Sequence, residues 1–236
     1  MKKYRFEEGG DVAADIRGKY GYDGKLAAIY AGNEGPVVHK WHHYIPLYDR
    51  YLGRFCDTPV RFLEIGVARG GSLGMWRRWL GKSAVIFGID VRPHCARFDG
   101  DAGAVRIGSQ ADPAFLDDVV DEMGGLDVVL DDGSHRMEHI RASFEHLFPR
   151  LAADGVYVVE DLHTAYWPKY GGGYGTSGNF FRYLAELADD MHHWYHPHGE
   201  RRAGLGAAVS GLHVHDSMAV FEKGPVHRPT HSRVGA

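Results

Sequence analysis

Apolar positions follow two different periods along this chain. The set Tyr44, Leu47, Tyr48, Tyr51, Leu52 and Phe55 recurs at helical spacing and predicts a packed helix over 44–55. Short apolar runs at 60–67, 84–89, 104–107, 127–130 and 155–159 read as strands. Helical patterns separate them. One covers 73–80, and another runs to about Met123 from the N-cap Asp112 and the first-turn Pro113. A third carries Ile140, Phe144, Leu147, Phe148 and Leu151. Strands alternating with helices predict an α/β domain with a parallel sheet and right-handed crossovers. Further on, Ser177 is placed to cap a helix carrying Phe180, Phe181, Leu184, Leu187, Ala188 and Met191. Residues 212–215 and 218–221, joined through Asp216-Ser217, read as a closing hairpin. The first 40 residues are rich in glycine and polar groups, with one short helical candidate at 25–31, and are expected to form an arm or lid. The catalytic domain is expected over 41–223, and 224–236 as a loosely ordered tail.

The densest chemistry lies between Asp127 and Thr164, where two strands end in acids: Asp131-Asp132-Gly133-Ser134-His135 and Glu160-Asp161-Leu162-His163. Neighbouring strands lie about 4.8 Å apart. If these two are neighbours, Asp131, Asp132, Glu160 and Asp161 converge at the carboxyl edge of the sheet, where open α/β sheets bind ligands. Carboxylates crowded in this way need a cation, and an all-oxygen site suits a hard divalent ion such as Mg²⁺. Residue type alone does not choose between Asp131 and Asp132. The bland reading makes Asp-Asp-Gly a turn and Glu-Asp a cap; two acidic pairs on consecutive strand ends, with His135 beside the first, favour a functional site.

The first strand ends in Glu64-Ile65-Gly66-Val67-Ala68-Arg69-Gly70-Gly71-Ser72, a turn that brings backbone close to a ligand at a helix N-terminus. The second ends in Asp90, 24 residues after Gly66 by the numbering, about where an acid accepts hydrogen bonds from ribose hydroxyls. The spacing departs from Gly-x-Gly-x-x-Gly, which argues against nicotinamide or flavin. After the second acidic tip, Tyr166, Trp167 and Tyr170 precede Gly171-Gly172-Gly173 and read as a substrate loop whose aromatic rings stack on a sugar or another ring. His39, Trp41, His42 and His43 are assigned to aromatic packing.

The net charge of −4 shows no basic stripe, which argues against nucleic acid as a partner. No signal peptide and no run of 18 apolar residues is evident, so no membrane span is expected. With only Cys56 and Cys95 present, a reduced cytoplasmic setting is the expectation. Sixteen histidines invite a zinc reading across His192–His198, but no metal-type spacing accompanies them, and a partly exposed helix end and loop is expected there.

The segments from Glu64 to Ser72, Asp131 to His135 and Val159 to Thr164 resemble the metal-dependent sugar O-methyltransferases of the mycinamicin and tylosin tailoring type. Cephalosporin hydroxylase-like proteins share much of the pattern. The resemblance covers roughly 39–223, without the additional N-terminal domain of some macrolide-sugar members. It implies a Rossmann-like class I methyltransferase: a seven-stranded, mostly parallel sheet with an antiparallel last strand and helices on both faces. It further implies S-adenosylmethionine over Glu64, Gly66, Gly70 and Ser72, with Asp90 on the ribose and Ser109 and Gln110 near the adenine. Asp131 then faces the cofactor side, Asp132, Glu160 and Asp161 hold Mg²⁺, and His135 is the base, with His139 and His163 as competitors. An imidazole, with an ordinary pKa of about 6.5, suits that task. The expected acceptor is a sugar hydroxyl of a natural-product glycoside, a glycolipid or a polysaccharide terminus, and a homo-oligomer is expected. The rival readings are catechol O-methylation, a non-catalytic nucleotide-binding module, and a non-haem iron oxygenase, which needs two histidines and one carboxylate.

Overall fold

The computed structural model describes residues 4–197, 205 and 208–235. Seven strands form one sheet: β1 (Arg61–Ile65), β2 (Val85–Asp90), β3 (Ala104–Ile107), β4 (Leu126–Asp131), β5 (Leu151–Val159), β6 (Val209–His215) and β7 (Met218–Lys223). Their order is β3-β2-β1-β4-β5-β7-β6. All neighbours pair in parallel up to β5, and β7 runs antiparallel to both β5 and β6. The strand order reverses between β1 and β4, and a crevice opens at the carboxyl ends of strands at such a switch point. The register sets Ile65 opposite both Ile89 and Asp131, so the turns after β1, β2 and β4 leave the sheet at one level.

Period-two alternation sorts the strand residues between two cores. Phe62, Val128, Val156 and Val158 face one side with Tyr48, Trp76 and Trp79. That side is covered by α1 (Val12–Tyr20), α2 (Lys25–Ala31), α3 (Tyr44–Leu52) and α4 (Gly71–Leu80). Leu63, Val129, Tyr157 and Val159 face the other with Leu116, Phe144 and Leu184. There the cover is α5 (Pro113–Met123), α6 (Met137–Leu147) and α7 (Phe180–Met191). Each fully buried Leu or Phe contributes about 1.5–3 kcal/mol of transfer free energy.

Helix α1 is absent from the sequence reading. Its only buried residue is Ile16, so it has almost no apolar stripe; Asp11 caps its start and the left-handed Gly21 ends it. Through Ile16 and Leu26, α1 and α2 join the first core. Helix α7 begins as expected, but its cap is Asn179, whose side chain accepts from the Phe181 amide, and not Ser177. His192 to Pro197 end α7 and form a short 3₁₀ turn; His193 is buried and Tyr195 exposed, while His198 lies outside the described residues. Residues 224–235 carry no helix or strand. Among the described residues, no helix is long and apolar enough to cross a membrane.

Candidate active site

A cleft of about 810 Å³ opens at the carboxyl edge over β1 and β4. One wall is the turn after β1. Gly66 has φ +105°, and a Cβ there would lie 2.2 Å from the Asp132 carbonyl oxygen, so only glycine lets the first turn pass the acidic tip. Of the expected donor-binding residues, Gly66, Ser72, Asp90, Ser109 and Gln110 line the cleft. Glu64, Gly70 and Asp131 do not. Glu64 sits beneath it on the first-core face, accepting from Ser72 Oγ (2.7 Å) and Trp76 Nε1 (3.0 Å). The ring of Phe98 covers Gly70.

Asp131 corrects the expectation that four acids meet at one point. It is the last residue of β4 and follows Val129 on the second-core face, whereas Asp132 leaves the strand toward the other side. Its carboxylate accepts from Ser143 Oγ (2.7 Å), Tyr157 Oη (3.1 Å) and Gln110 Nε2 (3.0 Å). Burial pushes its pKa up, and these donors oppose the shift. Its visible work is to orient Gln110, whose Oε1 accepts from the Ser134 amide at 2.8 Å. Asp90 is also engaged. It accepts from the Ala68 amide (3.0 Å) and, at both oxygens, from Arg92 (2.9 and 2.7 Å). Burial works against its ionisation, but the hydrogen bonds from Arg92 and the Ala68 amide hold its pKa well below the usual carboxylate range.

Asp132, Glu160 and Asp161 lie close together at the carboxyl edge, and Lys40 bridges the first two. Its side chain is 2 % exposed, and its Nζ lies 2.7 Å from Asp132 Oδ2, 3.1 and 3.0 Å from the two Glu160 oxygens and 4.0 Å from Glu64 Oε1. Burial alone would lower the lysine pKa. The charges of Asp132, Glu160 and Glu64 outweigh it and keep the ammonium protonated, well above its ordinary value. Tyr48 Oη donates to Glu160 Oε1 at 2.5 Å. Asp161 Oδ1 accepts from Trp41 Nε1 (3.0 Å) and Tyr44 Oη (3.1 Å).

The remaining oxygens, Asp132 Oδ1 and Asp161 Oδ2, each lie 3.9 Å from His135 Nε2. That is too long for a hydrogen bond. Asp132, His135 and Asp161 therefore face a common point, each offering one ligand atom within 4.8 Å of the others. Glu160 is not in that trio: it follows Val156 and Val158 on the first-core face, where Lys40 and Tyr48 sit. The two turns that present the trio are strained, with φ +56° at both His135 and Asp161. Thr164 Oγ1 steadies them, donating to the Asp161 carbonyl at 2.7 Å and lying 3.3 Å from that of His135.

The competing histidines are placed differently. His139 lines the cleft with Nδ1 3.0 Å from Ser134 Oγ. His163 has Nδ1 2.7 Å from Ser217 Oγ, a buried Nε2 without a hydrogen-bond partner, and a pKa lowered by burial. It belongs to a second cavity of about 410 Å³, lined also by Tyr4, Trp41, His43, Tyr166 and Trp167. Tyr170 lines neither cavity; its ring packs 6.4 Å from that of His135. Sequence reasoning passed over Lys40, Tyr44 and Tyr48 as site residues and gave Trp41 to packing. Their partners lie 92 to 120 positions away, so no local spacing marks them.

Comparison with known proteins finds relatives of this chain among methyltransferases. The family model described as "Methyltransferase domain" matches residues 63–162. The 8-demethyl-8-alpha-L-rhamnosyl tetracenomycin-C 2'-O-methyltransferase of Streptomyces olivaceus is 39 % identical over 202 residues, covering 78 % of this chain and 51 % of its own. A tetracenomycin-C rhamnosyl 3'-O-methyltransferase of the same organism is 38 % identical over 85 % of this chain and 53 % of its own. The MycE methyltransferase of the mycinamycin biosynthetic pathway, solved with Mg, SAH and mycinamycin VI, superposes with a TM-score of 0.73 at 32 % identity, covering 92 % of this chain and 54 % of that one. The chain spans about half the length of the curated relatives it matches.

Proposed function

We propose that this chain, a homologue of the natural-product sugar O-methyltransferases that carries a methyltransferase domain, moves a methyl group from S-adenosylmethionine to a sugar hydroxyl of a glycoside, with Mg²⁺. One observation carries the reading. A single cleft holds a glycine turn with Asp90 and Gln110 at one end and the Asp132–His135–Asp161 trio at the other.

The residues fit both groups. Asp132 Oδ1 and Asp161 Oδ2 are oxygen donors aimed at one point, as a hard cation requires. Asp132 and Asp161 would hold the ion, with Glu160 completing the acidic set from beneath, where Lys40 braces it. The turn at Gly66, with Asp90 and Gln110, would hold the donor. When bound, S-adenosylmethionine supplies an electrophilic methyl group and Mg²⁺ supplies Lewis acidity that makes an alcohol easier to deprotonate.

The protein binds, orients and takes a proton. His135 Nε2 lies 3.9 Å from both carboxylates and accepts the proton of the acceptor hydroxyl. The deprotonated hydroxyl would be the acceptor for the methyl group that S-adenosylmethionine supplies, the sulfur keeping the electron pair of its bond to that methyl. Trp41 and Tyr44, hydrogen-bonded to Asp161, help exclude water from the acidic end. The rest of the glycoside extends toward the second cavity, where Tyr166 and Trp167 present apolar ring faces. In this reading the protein works without crossing a membrane and as a homo-oligomer.

The test is methyl transfer from labelled S-adenosylmethionine to rhamnosyl and other deoxyhexosyl glycosides, with free catechol as a control. Label on a sugar hydroxyl supports the reading; label on catechol alone, or on nothing while the donor binds, rejects it.

A further inference from the structure

The segment from Pro36 to Trp41 contains no helix or strand, yet it is tied down along its length. At its start, Asn33 Nδ2 donates to the Pro36 carbonyl (2.9 Å). The Pro36 and Val37 carbonyl oxygens lie against Gly71, where a Cβ would approach them to 2.2 and 2.5 Å, so this backbone rests on the first residue of α4. Tyr30 Oη donates to the Lys40 carbonyl at 2.9 Å. At its end, the Lys40 ammonium reaches Asp132 and Glu160, and Trp41 Nε1 reaches Asp161. Between these anchors, Val37, Val38 and His39 wall the same cleft as Gly66, Asp90 and Gln110.

We propose that Lys40 is a positioning residue for methyl-donor binding: its ammonium latches the 36–41 segment, one wall of the donor end of the cleft, onto the acids at the acceptor end. The proposal rests on the donor site assigned above. Lys40 touches neither Asp90 nor Gln110, so it acts on the donor through the wall it holds. The latch is strong because its cost of release is high. A buried ammonium facing Asp132, Glu160 and Glu64 cannot leave without depriving the two buried carboxylates, Glu160 and Glu64, of their countercharge. It also links the two ends of the site: the acids that would hold the cation also hold the segment that walls the donor.

Titration of S-adenosylhomocysteine into the wild-type chain and into Lys40→Met by calorimetry, without added metal, tests this, together with amide hydrogen exchange. The variant is expected to bind at least tenfold more weakly, with faster exchange confined to 36–41 while β1 and β4 stay protected. A purely structural lysine would lower the melting temperature and leave donor affinity alone. A folded Lys40→Met that binds within threefold of wild type overturns the proposal. Should Lys40→Met not fold, Trp41→Phe decides. It removes the hydrogen bond to Asp161 and trims the ring while keeping an aromatic face, and is expected to weaken binding about threefold and to speed exchange at 36–41; no change in either overturns the latch. Failure of the wild-type chain to bind S-adenosylhomocysteine would instead reject the donor site itself.

Discussion

Acids flank strand β4, and Asp127 near its amino end and Asp132 just past its carboxyl end live under opposite conditions. At its amino end Asp127 is saturated: Arg61 donates from Nε (2.8 Å), from Nη2 (2.6 Å) and from its backbone amide (2.8 Å). Each charge has its own partner, on the adjacent strand. At its carboxyl end one ammonium serves Asp132, Glu160 and Glu64, and Asp132 Oδ1 and Asp161 Oδ2 are left facing His135. Positive φ at His135 and Asp161 marks the two turns that carry the open oxygens and the facing imidazole. A saturated acid stabilises a fold. An acid whose oxygens are held in place but left open is available for chemistry.

Removing the cation should produce the largest effect at the carboxyl edge. Chelation with EDTA is expected to abolish methyl transfer, and Mg²⁺ to restore it. Asp161→Asn keeps the shape but removes the charge, so metal affinity and turnover should fall together while the melting temperature holds. Full activity in a metal-stripped sample would erase the contrast between the two edges.

That contrast was half legible in the sequence. The strands, most helices and the Gly66 turn are local signals, carried by period and by residue type, and they emerge where expected. The fate of Asp131 was available too: strand alternation sends it to the face of Val129 and Tyr157, away from Glu160. Adjacent acids look like a pair in sequence, whereas the pleat sends them to opposite faces. Lys40 was not available. It sits before α3 with no pattern around it, and its meaning comes from Asp132 and Glu160, 92 and 120 positions on. Helix α1 failed for the opposite reason, because a helix that buries only Ile16 has no periodicity to read.

Next in size is the base. His135→Ala should leave binding of S-adenosylhomocysteine and of Mn²⁺ near wild type while turnover falls by about 10²–10⁴. Near-normal turnover would transfer the role to His163 or His139, which lie on either side of the trio. At the donor end, Asp90→Ala is expected to weaken donor binding about tenfold, or about 1.4 kcal/mol. Because Arg92 and the Ala68 amide both lean on Asp90, the same variant tests whether this acid belongs with the open or the saturated kind. Lost stability with unchanged affinity would move it to the second group.

The smallest effect on turnover belongs to the amino edge, where the change is in stability against pH. Burial alone would raise the Asp127 pKa, but the hydrogen bonds from the Arg61 side chain and amide prevail and lower it. A carboxyl whose folded pKa is depressed stabilises the protein fully above its unfolded value, about 3.9, and loses that contribution as pH falls through the folded value. Asp127→Asn should therefore cost about 1.5–3 kcal/mol at pH 7, the range for hydrogen bonds to charged groups. The difference from wild type should shrink below pH 4. Urea unfolding at pH 7, 5 and 3 measures it, and methyl transfer at pH 7 should stay near wild type because Asp127 lies at the far end of β4 from the cleft. A constant difference across the three pH values would show that the lost interaction is packing and not charge. A drop in turnover matching that of Asp161→Asn would mean that the two ends of β4 are not separate after all.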